Sequence, residues 1–323
     1  MLLSVEHTLA FEYDGYISES FLELRVQPKV TPHQQLLAFS LAVGPPTRVF
    51  RYLDWNDNVT HHFTITKFHD RIAVTARSTV ETRPASPAPA AVEDPVEGDA
   101  PPYPLLDFLQ HAGPVRLTPA LRAAHRAMAP ARSASVGEHV LALGAAIAAR
   151  FEYQRDVTRY DSTTEDFLTI GAGVCQDFAH LMLGLLRLSG IPCRYVSGYL
   201  HLDRKTPREP SQSHAWVEFH APSVGWVPFD PTHNRPVDER YVVVAHGRDY
   251  DDVPPNKGIY RGGARETLRA EVHTQPTTPT RATPRLTEEV TAIDLQVFAV
   301  APGRRPDVAV SVAAEEQSQQ QQQ

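Results

Sequence analysis

The residues in this chain best suited to chemistry are a cysteine, a histidine and an aspartate: Cys175, His214 and Asp230. Residues 171–190 read GAGVCQDFAHLMLGLLRLSG, and the pattern changes at the cysteine. Before it, Gly171 and Gly173 allow a tight or left-handed approach of the backbone. After it, Phe178, Leu181, Met182, Leu185 and Leu188 recur at spacings of three and four, which is one face of a helix. Gly190 and Pro192 then end that helix in the usual order. Cys175 therefore falls at a helix N-terminus. Free N–H groups and the positive end of the dipole there favour a thiolate and can receive an oxyanion. Most free cysteines are small buried hydrophobes, so the position becomes a nucleophile only if a base stands beside it.

The base and its partner come from a hairpin. HAWVEFH (214–220) and GWVPFDPT (225–232) read as two short strands around a turn at APSV. Pairing His214 opposite Asp230, with the turn centred on Pro222, puts Ala215, Val217, Phe219, Gly225, Val227 and Phe229 on one face. His214, Trp216, Glu218, Trp226, Pro228 and Asp230 fall on the other. Register logic demands such a separation. Cβ atoms directly opposite lie roughly 4.5–5.5 Å apart, within reach of a hydrogen bond. A carboxylate on an imidazole fixes its tautomer and stabilises the imidazolium.

Around these three, Gln176 is a candidate second oxyanion donor, or a solvated second residue of the helix. Trp216 and Trp226 either wall the cleft or pack against another domain. Asp177 suits the first helical turn as a carboxylate on the dipole. His180 lies ~140° around the helix from Cys175 and faces elsewhere. Cys193 reads as core, and His233 as a rim residue without a clear role. A zinc site built on Cys175, His214 and a further His or Asp is the main rival, but no closely spaced pair such as CxxC exists. No metal and no cofactor is therefore expected.

The surrounding elements are of two kinds. Residues 1–83 alternate apolar and polar, as in Leu3, Val5, Leu9 and Phe11, with turn signals at DWNDN and KFHD, which predicts an antiparallel β-sandwich. His61 and His62, being adjacent, point to opposite faces of a strand. Residues 84–104 hold seven prolines and read as a Pro/Ala-rich linker. Helical patterns follow, with Ser135 as an N-cap, and the core is expected to run from 105 to 272. Residues 273–323 are Thr/Pro- and Gln-rich and read as mostly disordered, with a strand within VTAIDLQVFAV (290–300). The fold class is α+β.

A net charge of −7 argues against nucleic acid as a partner. No run approaches the ~20 apolar residues needed to cross a bilayer, so no membrane is expected. The first fifteen residues lack a basic stretch and carry Glu6, unlike a signal peptide. With only two cysteines, no disulfide framework is expected, and a reducing cytoplasm is the expected compartment.

GAGVCQDFAHLMLGLLRLSGIPCRYVSGYL, SHAWVEFHAPSVGWVPFDPTHN and GRDYDDVPP (247–255) resemble the bacterial transglutaminase-like family, whose core is papain-like. The resemblance extends over most of residues 1–270. It implies an N-terminal β-domain before a transglutaminase-like core in which a nucleophile helix packs on an antiparallel sheet. It also implies Cys175 as nucleophile, His214 as general base and Asp230 as orienting acid. Animal cross-linking transglutaminases place a tryptophan after the cysteine, where this chain has Gln176. They also use calcium, and the prolines and missing glycine of DYDDVPPN (249–256) do not make such a loop. The implied reaction is hydrolysis of an amide in a peptide or protein, peptide or isopeptide-like, through a thioester. Acyl transfer to an amine, or a binding module without activity on the same fold, are the alternatives.

Overall fold

The computed structural model describes residues 1–133, 135–202, 212–278, 287–292 and 310–312. The chain opens with six strands: β1 (Leu2–Ile17), β2 (Glu19–Leu24), β3 (Gln34–Gly44), β4 (Val49–Leu53), β5 (Val59–Ile65) and β6 (His69–Thr82). Their period-two pattern buries Leu3, Val5, Leu9 and Phe11 on one face of β1. His61 stacks on Phe39, whereas His62 lies among Phe21, Phe50 and Tyr52, so the pair does divide between the two faces.

The segment expected to be a linker is a strap laid against the core. Val92 is buried, Val136 N–H donates to the Asp94 carbonyl (2.7 Å), and the Asp94 carboxylate accepts from Ser223 N–H (2.8 Å) and Oγ (2.6 Å). Prolines deny this segment a ladder, yet they still bury apolar surface, and Asp94 supplies the hydrogen bonds. The strap passes so close to Gly137 that a Cβ there would lie 2.0 Å from the Pro89 carbonyl oxygen. Gly137→Ala is therefore expected to cost about 1–3 kcal/mol, read as a lower urea midpoint at unchanged slope. An unaltered midpoint would mean the strap does not press on the helix.

Next come α1 (Pro119–Met128), α2 (Val136–Ala148), β7 (Glu152–Tyr153), α3 (Thr164–Ile170), β8 (Ala172–Gly173) and α4 (Cys175–Leu188). Ser135 caps α2 by accepting from Glu138 N–H. Gly171, at φ 79°, ends α3 in the left-handed region and turns the chain into α4. Beyond α4 lie β9 (Cys193–Leu200), β10 (Gln212–Ala221), β11 (Gly225–Asp230), β12 (Arg235–Pro236) and β13 (Tyr241–Gly247), which form one antiparallel sheet ordered β12-β11-β10-β9-β13. Helix α4 is buried on nearly every side, between this sheet and the other helices. Arg187, in its last turn, donates to the carbonyls of Gln110, Cys193 and Arg248, so the helix end is stapled to three segments.

The hairpin register differs from the expectation by two residues. Val217 pairs with Phe229 and Ala221 with Gly225, so the turn centres on Ser223 and Asp230 lies diagonal to His214. A shift of two preserves both faces, which is why Ala215, Val217, Phe219, Val227 and Phe229 are all buried as foreseen. The three-residue turn fits Gly225 at φ 81°.

The chain then returns to the first domain, against the expected core boundary at 272. β14 (Asn256–Arg261) pairs with β2, and β15 (Glu266–Pro276) pairs with β1 along eleven residues. β16 (Thr287–Ala292) adds in parallel to β3, and β17 (Val310–Val312) adds to β14. The sandwich thus consists of sheets β15-β1-β6-β3-β16 and β17-β14-β2-β5-β4. Its own first six strands leave β1 and β2 unpaired on one side, and the returning strands fill those edges. Of the expected strand at 290–300, residues 290–292 belong to β16 and the rest lie outside the described residues, as does most of the expected disordered tail.

The sandwich also closes the free edge of the β12-β11-β10-β9-β13 sheet. Gln34 exchanges two hydrogen bonds with the Val243 backbone, and Asn58 exchanges two with His246, each at 2.8 Å. Two side-chain amides thereby stand in for a missing strand beside β13.

Candidate active site

Cys175 is the first residue of α4 and is almost fully buried. The carboxylate of Asp177 accepts from Val174 N–H (2.8 Å) and from Thr158 Oγ (2.6 Å), which fixes the entry of the helix. Gly173 is needed at this entry, because a Cβ there would lie 2.5 Å from Asp177 Oδ2. Burial pushes Asp177 up to about 6 against those hydrogen bonds.

His214, near the start of β10, bridges the other two residues. Its Nε2 lies 2.8 Å from Asp230 Oδ2, and its ring also hydrogen-bonds the Cys175 sulfur, for which Nδ1 is left. Asp230 is fully buried and accepts more bonds than the sequence suggested. Its Oδ1 takes the backbone N–H of Thr232 (2.9 Å) and His233 (3.2 Å). Its Oδ2 meets His214, His233 Nδ1 (2.7 Å) and Tyr241 O–H (2.6 Å). Burial alone would raise this carboxyl. The His214 charge and the bonds from His214 and His233 hold it far below the ordinary carboxylate range. Burial likewise disfavours a charged His214, yet the Asp230 charge, its hydrogen bond and the Cys175 sulfur push it up to about 10. The site is built to hold a protonated His214 ring against the buried Asp230 carboxylate.

Trp216 stacks on His214 (ring centroids 6.1 Å, 28° between planes) and meets Tyr241 edge-on. It backs the dyad and also lines a cavity of about 560 Å³ between the two domains. Trp226 shares that cavity but not the cleft. It lies against Phe108 and His220, with the Arg194 guanidinium over its ring. The sequence could not separate the two tryptophans because strand alternation gives them the same face and says nothing of position along it. Gln176 is buried, and its Nε2 donates to the Tyr160 carbonyl at 2.7 Å, tying α4 to the loop before α3. That bond, rather than the expected solvation or a clear oxyanion role, is what the structure gives it. The cleft beside His214, about 350 Å³, is lined by Tyr153, Arg155, Leu200, Leu202, Thr232 and His233.

His180 does face elsewhere, accepting from Tyr250 N–H (3.2 Å), and burial pushes it down to about 3. Cys193 opens β9 with its thiol donating to the Leu183 carbonyl, and burial pushes it up to about 11. The two cysteines are not linked.

Sequence reasoning missed His233 and Tyr241 as partners of Asp230. His233 carried a signal, since DPTH places a second imidazole three residues beyond the acid. Tyr241 carried none, because its reach depends on the packing of β13 against β9. Arg235 Nε in turn donates to Tyr241 Oη at 2.9 Å. Tyr241→Phe removes a donor to a buried carboxylate and an acceptor from Arg235, so it is expected to lower stability by about 1.5–3 kcal/mol. Turnover should fall about tenfold, by loss of roughly one such bond on Asp230. Unchanged turnover would show that His233 and the backbone hold Asp230 unaided.

A nucleophile helix packed on an antiparallel sheet, with cysteine, histidine and aspartate brought together at the helix start, is the papain-like arrangement. Sequence models of two families match the chain: the Transglutaminase-like superfamily at residues 122–231 and the Bacterial transglutaminase-like N-terminal region at residues 3–81. The chain belongs to the bacterial transglutaminase-like family. It is 34% identical over 265 residues to an uncharacterized Mycobacterium leprae protein, covering 80% of this chain and 93% of that one. A Pseudomonas aeruginosa protein-glutamine gamma-glutamyltransferase is 31% identical over 104 residues, 28% of this chain but only 16% of the relative. In three dimensions the chain is similar to a candidate cysteine protease from Cytophaga hutchinsonii, with a TM-score of 0.70, 23% identity, and coverage of 87% of this chain and 92% of that one. That similarity shows the fold.

Proposed function

We propose that this chain is a thiol-dependent enzyme that cleaves an amide of a peptide or protein through a thioester, with water as the preferred acceptor. The observation that carries the reading is a single imidazole, His214, bonded to Cys175 on one side and to the buried Asp230 on the other. The Cys175 thiolate attacks the carbonyl carbon, and the amide N–H at the head of α4 steadies the oxyanion. His214 gives its Nδ1 proton to the leaving amine, which departs as the C–N bond breaks. Water, deprotonated by the now neutral His214, then opens the thioester and releases an acid. Throughout, Asp230 keeps the ring oriented and offsets its charge.

A primary amine in place of water would give acyl transfer. The match to the Pseudomonas aeruginosa enzyme favours keeping that reading, although it spans a small part of that protein. The test supplies fluorogenic peptide amides together with a labelled primary amine. Free acid is expected to exceed conjugate, and Cys175→Ser should abolish both. Conjugate in excess would replace hydrolysis by transfer. Equal activity of wild type and Cys175→Ser would end the thiol mechanism.

A further inference from the structure

We propose that His214, Asp230 and His233 form a binding site for a divalent transition-metal ion, with Zn²⁺ the best fit, and that the ion displaces a proton the dyad needs. The effect on turnover rests on the proposed function; the site itself does not. His214 Nε2, Asp230 Oδ2 and His233 Nδ1 all lie within 4.8 Å of one another. The carboxylate oxygen is 2.8 Å from one ring nitrogen and 2.7 Å from the other, and the two rings are 5.2 Å apart between centroids. Zinc bonds of ~2.0–2.2 Å in a tetrahedron separate ligand atoms by about 3.3–3.5 Å. The cluster therefore needs to open by roughly half an ångström. His233 can supply its side of that movement, since it follows Asp230 by three residues in a turn and its side chain is 37% exposed. On the other side the buried His214 ring must draw back from Asp230 by a similar amount.

Two imidazoles and one carboxylate with a fourth position open is the donor set of a three-ligand zinc site. A nitrogen-rich set disfavours calcium and magnesium, which take oxygen. The fourth position opens on the cleft that His214, Thr232 and His233 line together. Thr232 Oγ1 is buried there without a hydrogen-bond partner among the described residues, and so is available to a metal-bound water. Tyr241 O–H remains on Asp230 as the outer hydrogen bond that metal carboxylates commonly receive. Cys175 occupies the other ring nitrogen of His214, so this site is distinct from the thiolate-containing zinc site considered from the sequence.

The proton balance sets the consequence. From the thiolate–imidazolium state the ion takes Nε2 of His214, whose proton leaves to solvent. Nδ1 of His233 must likewise be freed for the ion, so at least one proton is released per ion bound. His214 keeps Nδ1–H toward the sulfur, but can now give it up only as an imidazolate. It then no longer serves as proton donor to a leaving amine, and the bound ion is a reversible inhibitor.

The experiment titrates Cys175→Ser with Zn²⁺ by calorimetry, which removes the thiolate as a ligand and needs no turnover. One ion per chain is expected, bound at least tenfold more weakly when His233→Ala is added, since even outer-shell losses cost ~10–100-fold. Circular dichroism checks that the exposed-residue change leaves the fold intact. Zn²⁺ should also slow wild-type turnover, with recovery on chelation. Equal affinity in the double variant would overturn the proposal, as would zinc bound by wild type but not by Cys175→Ser. Binding lost with His233 in a chain without any turnover would uphold the site while removing the enzymatic reading.

Discussion

His214→Ala is expected to remove nearly all turnover and to turn Cys175 into an ordinary thiol. In wild type, iodoacetamide labelling of Cys175 should be fast at pH 6 and nearly flat to pH 8.5, because the imidazolium supplies the balancing charge over that whole range. Its folded-state pKa is raised from the usual 6.5 to about 10, so the paired state is fully present below pH 6.5 and fades only as pH climbs toward 10. The variant has no such partner. An ordinary thiol ionising near 8.5 is about 0.3% thiolate at pH 6, so labelling there should fall by a factor on the order of 100 and then rise tenfold per pH unit. Turnover should fall by roughly 10³–10⁴, since base and leaving-group donor are lost together. Cys193 provides an internal control: its thiol is sealed in the core and pushed up to about 11, so mass spectrometry should find it unlabelled in both proteins. Equal labelling of wild type and variant at pH 6 would mean that helix and histidine do not activate the sulfur.

How much of this was legible in the sequence depends on the range of the interactions. The helix start at Cys175 and the faces of the hairpin are local facts of periodicity, and both could be read. The exact pairing could not: a register two residues away sorts the same side chains to the same faces, so alternation alone does not choose between turns on Pro222 and Ser223. Alternation marks the sandwich from β1 to β6, but β14 and most of β15 follow the core in sequence and read as part of it. Only the open edges of β1 and β2, a tertiary fact, draw them back. The proline-rich strap differs from the expected linker for a related reason. Composition reports that a segment makes no ladder, not that it lies against a neighbouring helix at Gly137.

The returning strands bear on the site. The sandwich reaches the sheet that carries His214 and Asp230 through Gln34 and Asn58 on β13, and β13 begins with Tyr241, which holds Asp230. Tyr241 and Trp216 both face the cavity between the domains, and both touch His214 on their other side. The first domain thus supports the side of the sheet from which the acid and the imidazole are held.

Asp230→Asn tests that support most severely. Cysteine enzymes with asparagine in the third position exist, so an amide would serve if His214 were the only partner. Here five donors converge on the carboxylate: two backbone N–H groups on Oδ1, and His214, His233 and Tyr241 on Oδ2. Whichever way the asparagine is turned, its NH₂ meets donors where acceptors are required, and the charge that offsets His214 is gone. Breaking a buried pair in this way costs about 3–5 kcal/mol, and turnover should fall by at least 10² with the loss of His214 as a held acid. The sign of the pH dependence separates charge from shape. Asp230 is depressed in the folded state, so its contribution is present above its unfolded value near 3.8 and lost as pH falls below it. His214 is raised, so its contribution weakens as pH rises from 6.5 toward 10. The stability difference between wild type and Asp230→Asn should therefore be greatest near pH 5–6 and narrow toward either side, as read by urea unfolding across pH. A difference constant from pH 4 to 10 would assign the loss to packing alone and remove the ion pair from the account of this site.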